Sequence, residues 1–226
     1  MKTDYFGHDA AYKKRRASKQ AGWNTEEGYE KSFAYIERTL QADHVPKTGK
    51  LLEMGCGAGN ISLRLADRGY EVHGLDIAPT AIEWAQEQAR ERKLEIDFRV
   101  GDVLDLKDYA DESFDFVLDG HCLHCIIGDD RKLFLASAFR VLKPQGFFHV
   151  RTMCGQAIAK DLQENFDVKS RCLILGGIAT RYIGLPEDIL DEIRAAGFEI
   201  VHREWEEEPP LDEDEQLTIL VDAIRP

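Results

Sequence analysis

Apolar residues in the first part of the chain recur at helical spacing. They are Tyr29, Phe33, Ile36 and Leu40. This spacing predicts an amphipathic helix over residues 26–42. Thr25 and the two glutamates that follow it suit the start of this helix, because a hydroxyl caps free amides and acids favour the positive end of the helix dipole. We expect residues 1–45 to form an N-terminal helical cap.

From Lys50 onward, short apolar runs alternate with segments of helical pattern. The predicted strands cover residues 50–54, 71–75, 96–100, 114–118 and 146–152. The predicted helices cover residues 61–68, 79–93 and 131–142. Strands that alternate with helices predict a mostly parallel sheet with helices on both faces, which is an α/β fold.

The last third of the chain departs from this alternation. Residues 154–184 break the pattern and are expected to be an insertion over the carboxyl edge of the sheet. A helix over residues 186–196 and two strands, 198–205 and 217–224, follow in that order. Only an acidic loop, 206–216, joins the two strands, and a parallel crossover needs a dozen or more residues and usually a helix. We therefore expect the two strands to be antiparallel neighbours within a domain that covers residues 46–226.

The charge of the chain excludes some partners. It has 29 Lys and Arg against 42 Asp and Glu, a net charge of −13. Neutralising phosphates supplies most nucleic-acid affinity, so nucleic acids and anionic membranes are not expected as partners. Eight of the acids lie in residues 204–215 without a base between them. The rest of the chain is therefore less acidic, and a small anionic ligand remains compatible with it.

The cysteines and the apolar segments indicate a compartment. Five cysteines are an odd number in a chain that is long enough to fold without disulfides, so we expect reduced thiols and a cytoplasmic location. The N-terminus lacks the apolar run of a signal peptide. No stretch approaches the roughly 18 apolar residues that indicate a transmembrane helix.

The strongest local motif is a Gly-x-Gly-x-Gly turn after the first predicted strand. Its glycines are Gly55, Gly57 and Gly59. Glycine allows positive φ and lets a ligand approach the backbone. A dinucleotide fingerprint would need a further glycine where Asn60 stands, which disfavours a nicotinamide cofactor. The acid before the turn, Glu53, favours a ligand with a cationic amine.

Two more acids follow the next two predicted strands. Asp76 ends the second strand, 17 residues past Gly59. An acid at this position can accept both hydroxyls of a ribose. Asp102 follows the third strand, where it can reach an adenine amine.

With these motifs in this order, residues 45–226 resemble the class I S-adenosylmethionine-dependent methyltransferases. The resemblance implies a Rossmann-like, seven-stranded sheet with an antiparallel last strand. It also implies S-adenosylmethionine as cofactor and S-adenosylhomocysteine as product. The implied cofactor-binding residues are Glu53, Gly55, Cys56, Gly57, Gly59, Asp76, Ile77, Asp102, Val103 and Asp119. Two positions depart from the family: Gln145 stands where glycine is frequent, and Glu53 stands where aspartate is common.

The loop after the fourth predicted strand carries the candidate catalytic residues. In this family, the loop faces the activated methyl group, and Leu123-His124 matches a pair found in small-molecule members. His121 and His124 are candidate bases because imidazole titrates near neutral pH. Asp119 ends the strand and is expected near the amine of the cofactor or near the substrate.

The expected acceptor is a small molecule, and its candidate contacts lie outside the cofactor motifs. These residues are Tyr12, Trp23, Arg151, Arg181 and Tyr182. The two arginines suit a carboxylate or another anion, while Tyr12 and Trp23 are expected in a lid. The basic run at residues 13–16 is expected to be a solvated helix face.

Three alternatives remain open. The cysteines Cys122, Cys125, Cys154 and Cys172 suggest a thiol or metalloid acceptor, since thiolates suit soft ligands. A zinc site is disfavoured, because one short loop would have to supply all the ligands. A non-catalytic S-adenosylmethionine-binding regulator would carry the same cofactor motifs. A nicotinamide-dependent dehydrogenase is the most distant alternative.

Overall fold

The protein is described by a computed structural model that covers residues 1–157, 160–205 and 216–226. Its strands are β1 Lys50–Met54, β2 Glu71–Asp76, β3 Asp97–Val100, β4 Phe114–Asp119, β5 Leu142–Met153, β6 Phe166–Asp167, β7 Cys172–Leu175, β8 Ile178–Tyr182, β9 Glu199–Trp205 and β10 Thr218–Ile224. Seven of them form one sheet in the order β3-β2-β1-β4-β5-β10-β9. The pairs from β3 to β5 are parallel, and β10 is antiparallel to both of its neighbours. The predicted Rossmann-like sheet with a reversed last strand is confirmed.

The helices are α1 Gly7–Ala17, α2 Glu26–Gln41, α3 Asn60–Asp67, α4 Pro79–Arg92, α5 Asp130–Val141, α6 Lys160–Glu164 and α7 Pro186–Ala195. The hydroxyl of Thr25 accepts a hydrogen bond from the amide of Gly28 at 3.2 Å, so α2 begins at the predicted cap. Pro79 occupies the first turn of α4, where its missing N–H costs nothing.

Strand β5 begins earlier than the pattern predicts. It starts at Leu142, directly after α5, and its pairing with β4 shifts register near Phe114. Gln145, which replaces a frequent glycine, adopts a φ of +63° and donates its amide hydrogen to the carbonyl of Arg225 at 2.7 Å. This contact with the chain end holds a backbone conformation that a non-glycine residue rarely adopts.

The insertion at residues 154–184 contains regular structure that the hydrophobic pattern did not reveal. Strands β6, β7 and β8 form a small antiparallel sheet. Gly176 and Gly177 join β7 to β8 with φ values of +58° and +80°, as a two-residue hairpin requires. The Gly176-Gly177 pair is the feature of the sequence that could have predicted this hairpin. The acidic loop expected over residues 206–216 lies outside the described residues, except for Gln216.

Apolar side chains fill both faces of the large sheet. Phe134, Phe148 and Leu190 are buried on the face covered by α5 and α7. Leu51 and Phe147 are buried on the opposite face, where residues of α2 and α3 pack. Apolar burial on both faces fixes the sheet in the middle of the fold. Because β1, β2, β4 and β5 are parallel, their carboxyl ends meet at one edge of the sheet.

Helices α1 and α2 close this edge of the sheet. A carboxylate oxygen of Asp9 on α1 accepts a hydrogen bond from the amide of Thr80 on α4 at 2.8 Å. Arg16 pairs with Glu87, also on α4. These contacts fix the first helix over the glycine turn. In the described part of the chain, every helix is too short or too polar to cross a membrane.

Candidate active site

A cavity lies between the N-terminal helices and the carboxyl ends of the parallel strands. Its lining residues fall into two sets by their chemistry, called compartments below. One contains the glycine turn and three acids, Glu53, Asp76 and Asp119. The other contains aromatic, histidine and arginine side chains from α2, β5 and the loop after β4. Ligands bind at this edge in open α/β sheets.

The glycine turn requires its glycines for two reasons. Gly55, Gly57 and Gly59 have φ values of +77°, +54° and +79°. A Cβ atom on Gly55 would lie 2.6 Å from the Cβ of Cys122, and one on Gly57 would meet the hydroxyl of Tyr12. Gly55, Cys56 and Gly57 line the cavity. Gly59 is not a lining residue and instead begins α3 as its left-handed cap.

Asp76 connects the second strand to the glycine turn. Its Oδ2 accepts the amide hydrogen of Gly57, and its Oδ1 accepts that of Ala78, each at 2.9 Å. Burial raises the pKa of this carboxyl to about 6, although the backbone hydrogen bonds lower it. The side chain is buried and lines the cavity.

Glu53 and Asp119 are buried in the same compartment. Burial raises the pKa of Glu53 to about 8, although the Ser62 hydroxyl donates to its carboxylate at 2.5 Å. Burial also raises the pKa of Asp119 to about 7. Asp119 Oδ1 accepts the amide hydrogens of Cys122 and Leu123 at 2.7 and 3.0 Å. Among the described residues, Asp119 Oδ2 is buried without a hydrogen-bond partner.

The charges of the three acids determine whether S-adenosylmethionine fits this cavity. The carboxylates of Glu53, Asp76 and Asp119 repel one another, and repulsion from Asp76 and Asp119 raises the pKa of Glu53 further. A ligand with an ammonium and a sulfonium would offset this repulsion, and Asp119 Oδ2 offers it an acceptor. The glycine turn leaves room for close approach of such a ligand. The residues present therefore fit this cofactor.

The predicted adenine contacts lie at the side of β2 and β3. Ile77, Asp102 and Val103 line the cavity. Asp102 is exposed, and its Oδ1 accepts the amide hydrogen of Leu104 at 2.9 Å, which shapes the turn after β3. Its second carboxylate oxygen remains available to a ligand at the cavity mouth.

The predicted lid residues Tyr12 and Trp23 pack against each other at the cavity wall. Tyr12 is buried against the glycine turn, and burial raises its pKa far above the usual value. It therefore covers the cofactor compartment rather than the acceptor side. Trp23 packs on the edge of Tyr12, with ring centroids 5.1 Å apart.

The basic run at residues 13–16 is not a uniformly solvated face, and that prediction was wrong. The guanidinium of Arg15 lies 3.9 Å from the ring centroid of Trp23 and donates to the Trp23 carbonyl at 2.9 Å. Arg16 pairs with Glu87, whereas Lys13 is exposed. Lys13 and Lys14 are exposed and Arg15 and Arg16 are half-buried, because successive helical residues point in different directions.

The predicted arginines line the second compartment. The Arg151 guanidinium lies 4.0 Å from the ring centroid of Tyr35 on α2. Arg181 on β8 also lines the cavity, and its guanidinium lies 5.9 Å from the Trp23 ring. Tyr182 is not a lining residue: its ring lies 4.4 Å from the Arg131 guanidinium, on the other side of β8. Successive strand residues face opposite sides, which separates Tyr182 from Arg181.

The two candidate bases line the cavity as weak bases. Burial of the ring, followed by repulsion from Arg151, lowers the pKa of His121 to about 3. His124 is buried, and burial lowers its pKa well below the usual value. Their rings meet edge to face with centroids 5.9 Å apart. Both imidazoles are therefore neutral in the absence of a substrate.

The structure adds His149 to the cavity wall. It lies on β5, two residues before Arg151, so both side chains face the cavity. The signal that could have identified it is Asp222, an acid in an otherwise apolar strand, β10. The pairing of β10 with β5 could not be derived from spacing, because 64 residues lie between the two strands.

The four cysteines of the thiol hypothesis do not converge. Cys122 and Cys125 line the cavity, whereas Cys154 packs in the main core and Cys172 under the small sheet. Burial raises the pKa of Cys122 well above its usual value and also raises that of Cys125, so both are protonated thiols. Within the described ranges, no three His, Cys, Asp or Glu residues form a group that could hold a metal ion.

Comparison with known proteins assigns the fold and the site to a class. The family model described as "Methyltransferase domain" matches residues 52–150. The ubiquinone biosynthesis O-methyltransferase of Agrobacterium fabrum is 30% identical over 165 residues, which are 71% of this chain and 64% of that protein. The 2-heptyl-1-hydroxyquinolin-4(1H)-one methyltransferase of Mycobacteroides abscessus is 33% identical over 115 residues, 50% of each chain.

Solved structures share the whole fold. The 1,6-didemethyltoxoflavin-N1-methyltransferase of Burkholderia thailandensis, determined with S-adenosylhomocysteine bound, has a TM-score of 0.72. It covers 97% of this chain and 85% of that one, and at 18% identity it supports the fold alone. The chain spans 40% to 64% of the length of the first three curated relatives that it matches.

The sheet order, the glycine turn and the buried acids define a Rossmann-like S-adenosylmethionine site. The methyltransferase-domain model matches the chain from within β1 to within β5, and the fold and the site are those of a class I S-adenosylmethionine-dependent methyltransferase. The cofactor of this family is the one that the site residues fit, whereas neither fold nor relatives support a nicotinamide cofactor.

Proposed function

We propose that this protein transfers the methyl group of S-adenosylmethionine to a small-molecule acceptor. The observation that carries the proposal is the continuity of the cavity. Gly57 and Asp76 line the same cavity as Tyr35 and Arg151. A cofactor in the first compartment and an acceptor in the second would therefore meet without crossing bulk water.

The cofactor supplies an activated methyl group on a sulfonium. The contribution of the chain is then mainly alignment, which can supply about 7–11 kcal/mol of barrier lowering. The Gly57 backbone and Asp76 would hold the nucleoside, while Glu53 and Asp119 would face the ammonium of the amino acid part. Tyr29, Ser32 and Tyr35 of α2 line the cavity and would cover the acceptor.

The walls of the second compartment favour a small, flat and polar or anionic acceptor. Tyr29 and Tyr35 supply aromatic surface, and Arg151 and Arg181 supply positive charge. Helices α1 and α2 cover the cavity, which disfavours a macromolecule. Two relatives are named for ubiquinone biosynthesis and for a hydroxyquinolinone, both small molecules. The cysteine thiols support the expected reducing, cytoplasmic compartment.

The test has two parts. Calorimetry should show binding of S-adenosylmethionine and S-adenosylhomocysteine, and no binding of NADH. Incubation of the protein with methyl-labelled cofactor and a small-molecule metabolite extract should give labelled small products, detected by mass spectrometry. Tight cofactor binding without any labelled product would contradict the proposal and favour a regulatory cofactor-binding protein.

A further inference from the structure

A buried histidine and a buried aspartate face each other across the last strand pair. His149 on β5 and Asp222 on β10 are register partners. The Nδ1 atom of His149 lies 2.7 Å from Oδ1 of Asp222, and the side chains are 3% and 2% exposed. A buried charge costs several kcal/mol unless it is paired. The pair therefore accounts for an acid within the apolar strand β10.

The ionisation of Asp222 determines which ring nitrogen of His149 carries the hydrogen. Hydrogen bonds from His149 and His44 hold the pKa of Asp222 below its usual value despite burial. An ionised carboxylate only accepts hydrogen bonds, so Nδ1 of His149 must be the donor. In the neutral imidazole, the other ring nitrogen, Nε2, then carries a lone pair. Among the described residues, Nε2 has no hydrogen-bond partner, and the ring lines the cavity.

A second histidine occupies the remaining oxygen of Asp222. The Nε2 atom of His44 lies 3.1 Å from Oδ2 of Asp222, and the His44 side chain is 32% exposed. His44 belongs to the segment between α2 and β1. Both carboxylate oxygens are thus engaged, which restricts rotation of Asp222 and holds the His149 ring in one orientation.

The other groups around His149 favour an oxyanion. The Arg151 guanidinium is on the same face of β5, and His121 approaches from the loop after β4. Helix α2 contributes the Tyr35 ring, on which Arg151 packs. Asp222 lies on the Nδ1 side of the imidazole, and the other acid near these groups is Asp119 at the end of β4, whose pKa burial raises to about 7. An acceptor oxygen that loses a proton here would lie next to a fixed positive charge.

We propose that His149 is the general base that deprotonates a hydroxyl on an aromatic acceptor, and that Asp222 and His44 are positioning residues. The proposal rests on the proposed methyl transfer and deepens it. The O–H bond breaks and its proton goes to Nε2 of His149. The oxygen forms a bond to the methyl carbon, while the methyl–sulfur bond breaks and its electron pair stays on sulfur. The imidazolium, stabilised by Asp222, then releases the proton to solvent.

An aromatic hydroxyl is the acceptor class that matches these groups. Tyr29 and Tyr35 line the cavity and give its wall an aromatic character that suits an aromatic ring. Imidazole accepts a proton effectively near neutral pH, and a phenol is acidic enough to transfer its proton readily to such a base. An amine that is already neutral would have no need of a base before attack. The Arg151 charge would stabilise the phenolate character that develops during transfer.

Two probe phenols test the role of the base. 4-Nitrophenol is ionised in mildly alkaline buffer, whereas 4-methylphenol stays protonated there. We expect the wild-type protein to methylate both. For His149→Gln, kcat/KM on 4-methylphenol should fall by about 10²–10⁴-fold through kcat, because general-base catalysis is lost. Turnover of 4-nitrophenol should fall by less than about tenfold, since its proton has already left.

The chain offers a matched control and two positioning variants. His73 forms a similar pair with Asp97, at 3.1 Å, and does not line the cavity. His73→Gln should leave both turnovers unchanged. Asp222→Asn and His44→Gln should lower turnover of 4-methylphenol more than that of 4-nitrophenol, which a purely structural role would not do.

The outcomes separate this proposal from the proposed function. Equal losses on the two phenols in His149→Gln, or no loss on either, would overturn the role of His149. Methylation of neither phenol by the wild type, with labelled products from the metabolite extract, would overturn the acceptor class and leave methyl transfer intact. No labelled product from any source would overturn both. Calorimetry with S-adenosylhomocysteine checks that each variant keeps its cofactor site.

Discussion

The carboxylate of Asp76, at the end of β2, accepts the amide hydrogen of Gly57 in the turn after β1, at 2.9 Å. One side chain thus shapes the glycine turn and reaches the cavity. The same carboxylate therefore holds the backbone of the turn and contributes a negative charge to the cavity wall.

Replacement of Asp76 should weaken cofactor binding. In Asp76→Asn, one amide contact and the negative charge are lost, so we expect affinity for S-adenosylhomocysteine to fall about 10–100-fold, as for a charged hydrogen bond of about 1.5–3 kcal/mol. Calorimetry measures the change. Asp105→Asn is the control, because Asp105 makes a similar turn contact with the Lys107 amide outside the cavity. Unchanged affinity in Asp76→Asn would contradict the ribose assignment.

Gly57→Ala should destabilise the fold through two effects. Its φ of +54° is unfavourable for alanine by about 1–2 kcal/mol, and the added Cβ meets the hydroxyl of Tyr12. Gly69→Ala is the control, since its φ is also positive but nothing lies within 4 Å of the added atom. Urea unfolding should show the larger loss for Gly57→Ala, and Tyr12→Phe should recover part of it. Equal losses at the two glycines would show that the Tyr12 contact is unimportant.

Cofactor binding should strengthen as pH rises from about 6 to about 8. The pKa values of Glu53, at about 8, and Asp119, at about 7, mean that both carboxyls hold protons near neutral pH. A cationic ligand favours the ionised forms, so binding should release protons. Calorimetry at pH 7 in buffers of different ionisation enthalpy counts the released protons. Glu53→Gln should reduce that number, and an unchanged number would exclude Glu53 as the source.

The same shifts set the sign of the pH dependence of stability without cofactor. Folded-state pKa values above the unfolded ones mean that the folded protein binds more protons. These two groups therefore contribute stability that is present at acidic pH and is lost as pH rises from about 4 to about 8. Urea unfolding at several pH values should show this decline. Added S-adenosylhomocysteine should oppose it most strongly at the alkaline end.

Arg131 should be the main anchor of the loop that carries His121 and His124. Its buried guanidinium contacts Glu192 at 2.6 Å and donates to the carbonyl of Leu123 at 2.7 Å. Arg131→Ala should cost about 3–5 kcal/mol, since it breaks a mostly buried pair. The exposed pair of Arg194 with Asp191 is the control, and Arg194→Ala should cost less than about 1 kcal/mol. Similar losses in urea unfolding would contradict the anchoring role.

Local sequence determined most of the fold and the cofactor end of the site. Apolar runs placed β1 to β4 and α2 within one or two residues, because periodic burial is written into neighbouring positions. The glycine turn, Glu53 and Asp76 could be assigned a ligand because each lies at or near the carboxyl end of a predicted parallel strand, where ligands bind. Even the antiparallel arrangement of β9 and β10 followed from the absence of a helix between them.

Only the tertiary structure decided the acceptor end. Tyr12 and Trp23 pack against each other at the cavity wall, and the packing of α1 against α4 places Tyr12 next to the glycine turn. His149 and Asp222 are 73 residues apart in the chain, and they meet because β10 inserts between β5 and β9. Such a contact depends on strand order and register, which arise from burial over the whole sheet. No local spacing in the chain records it.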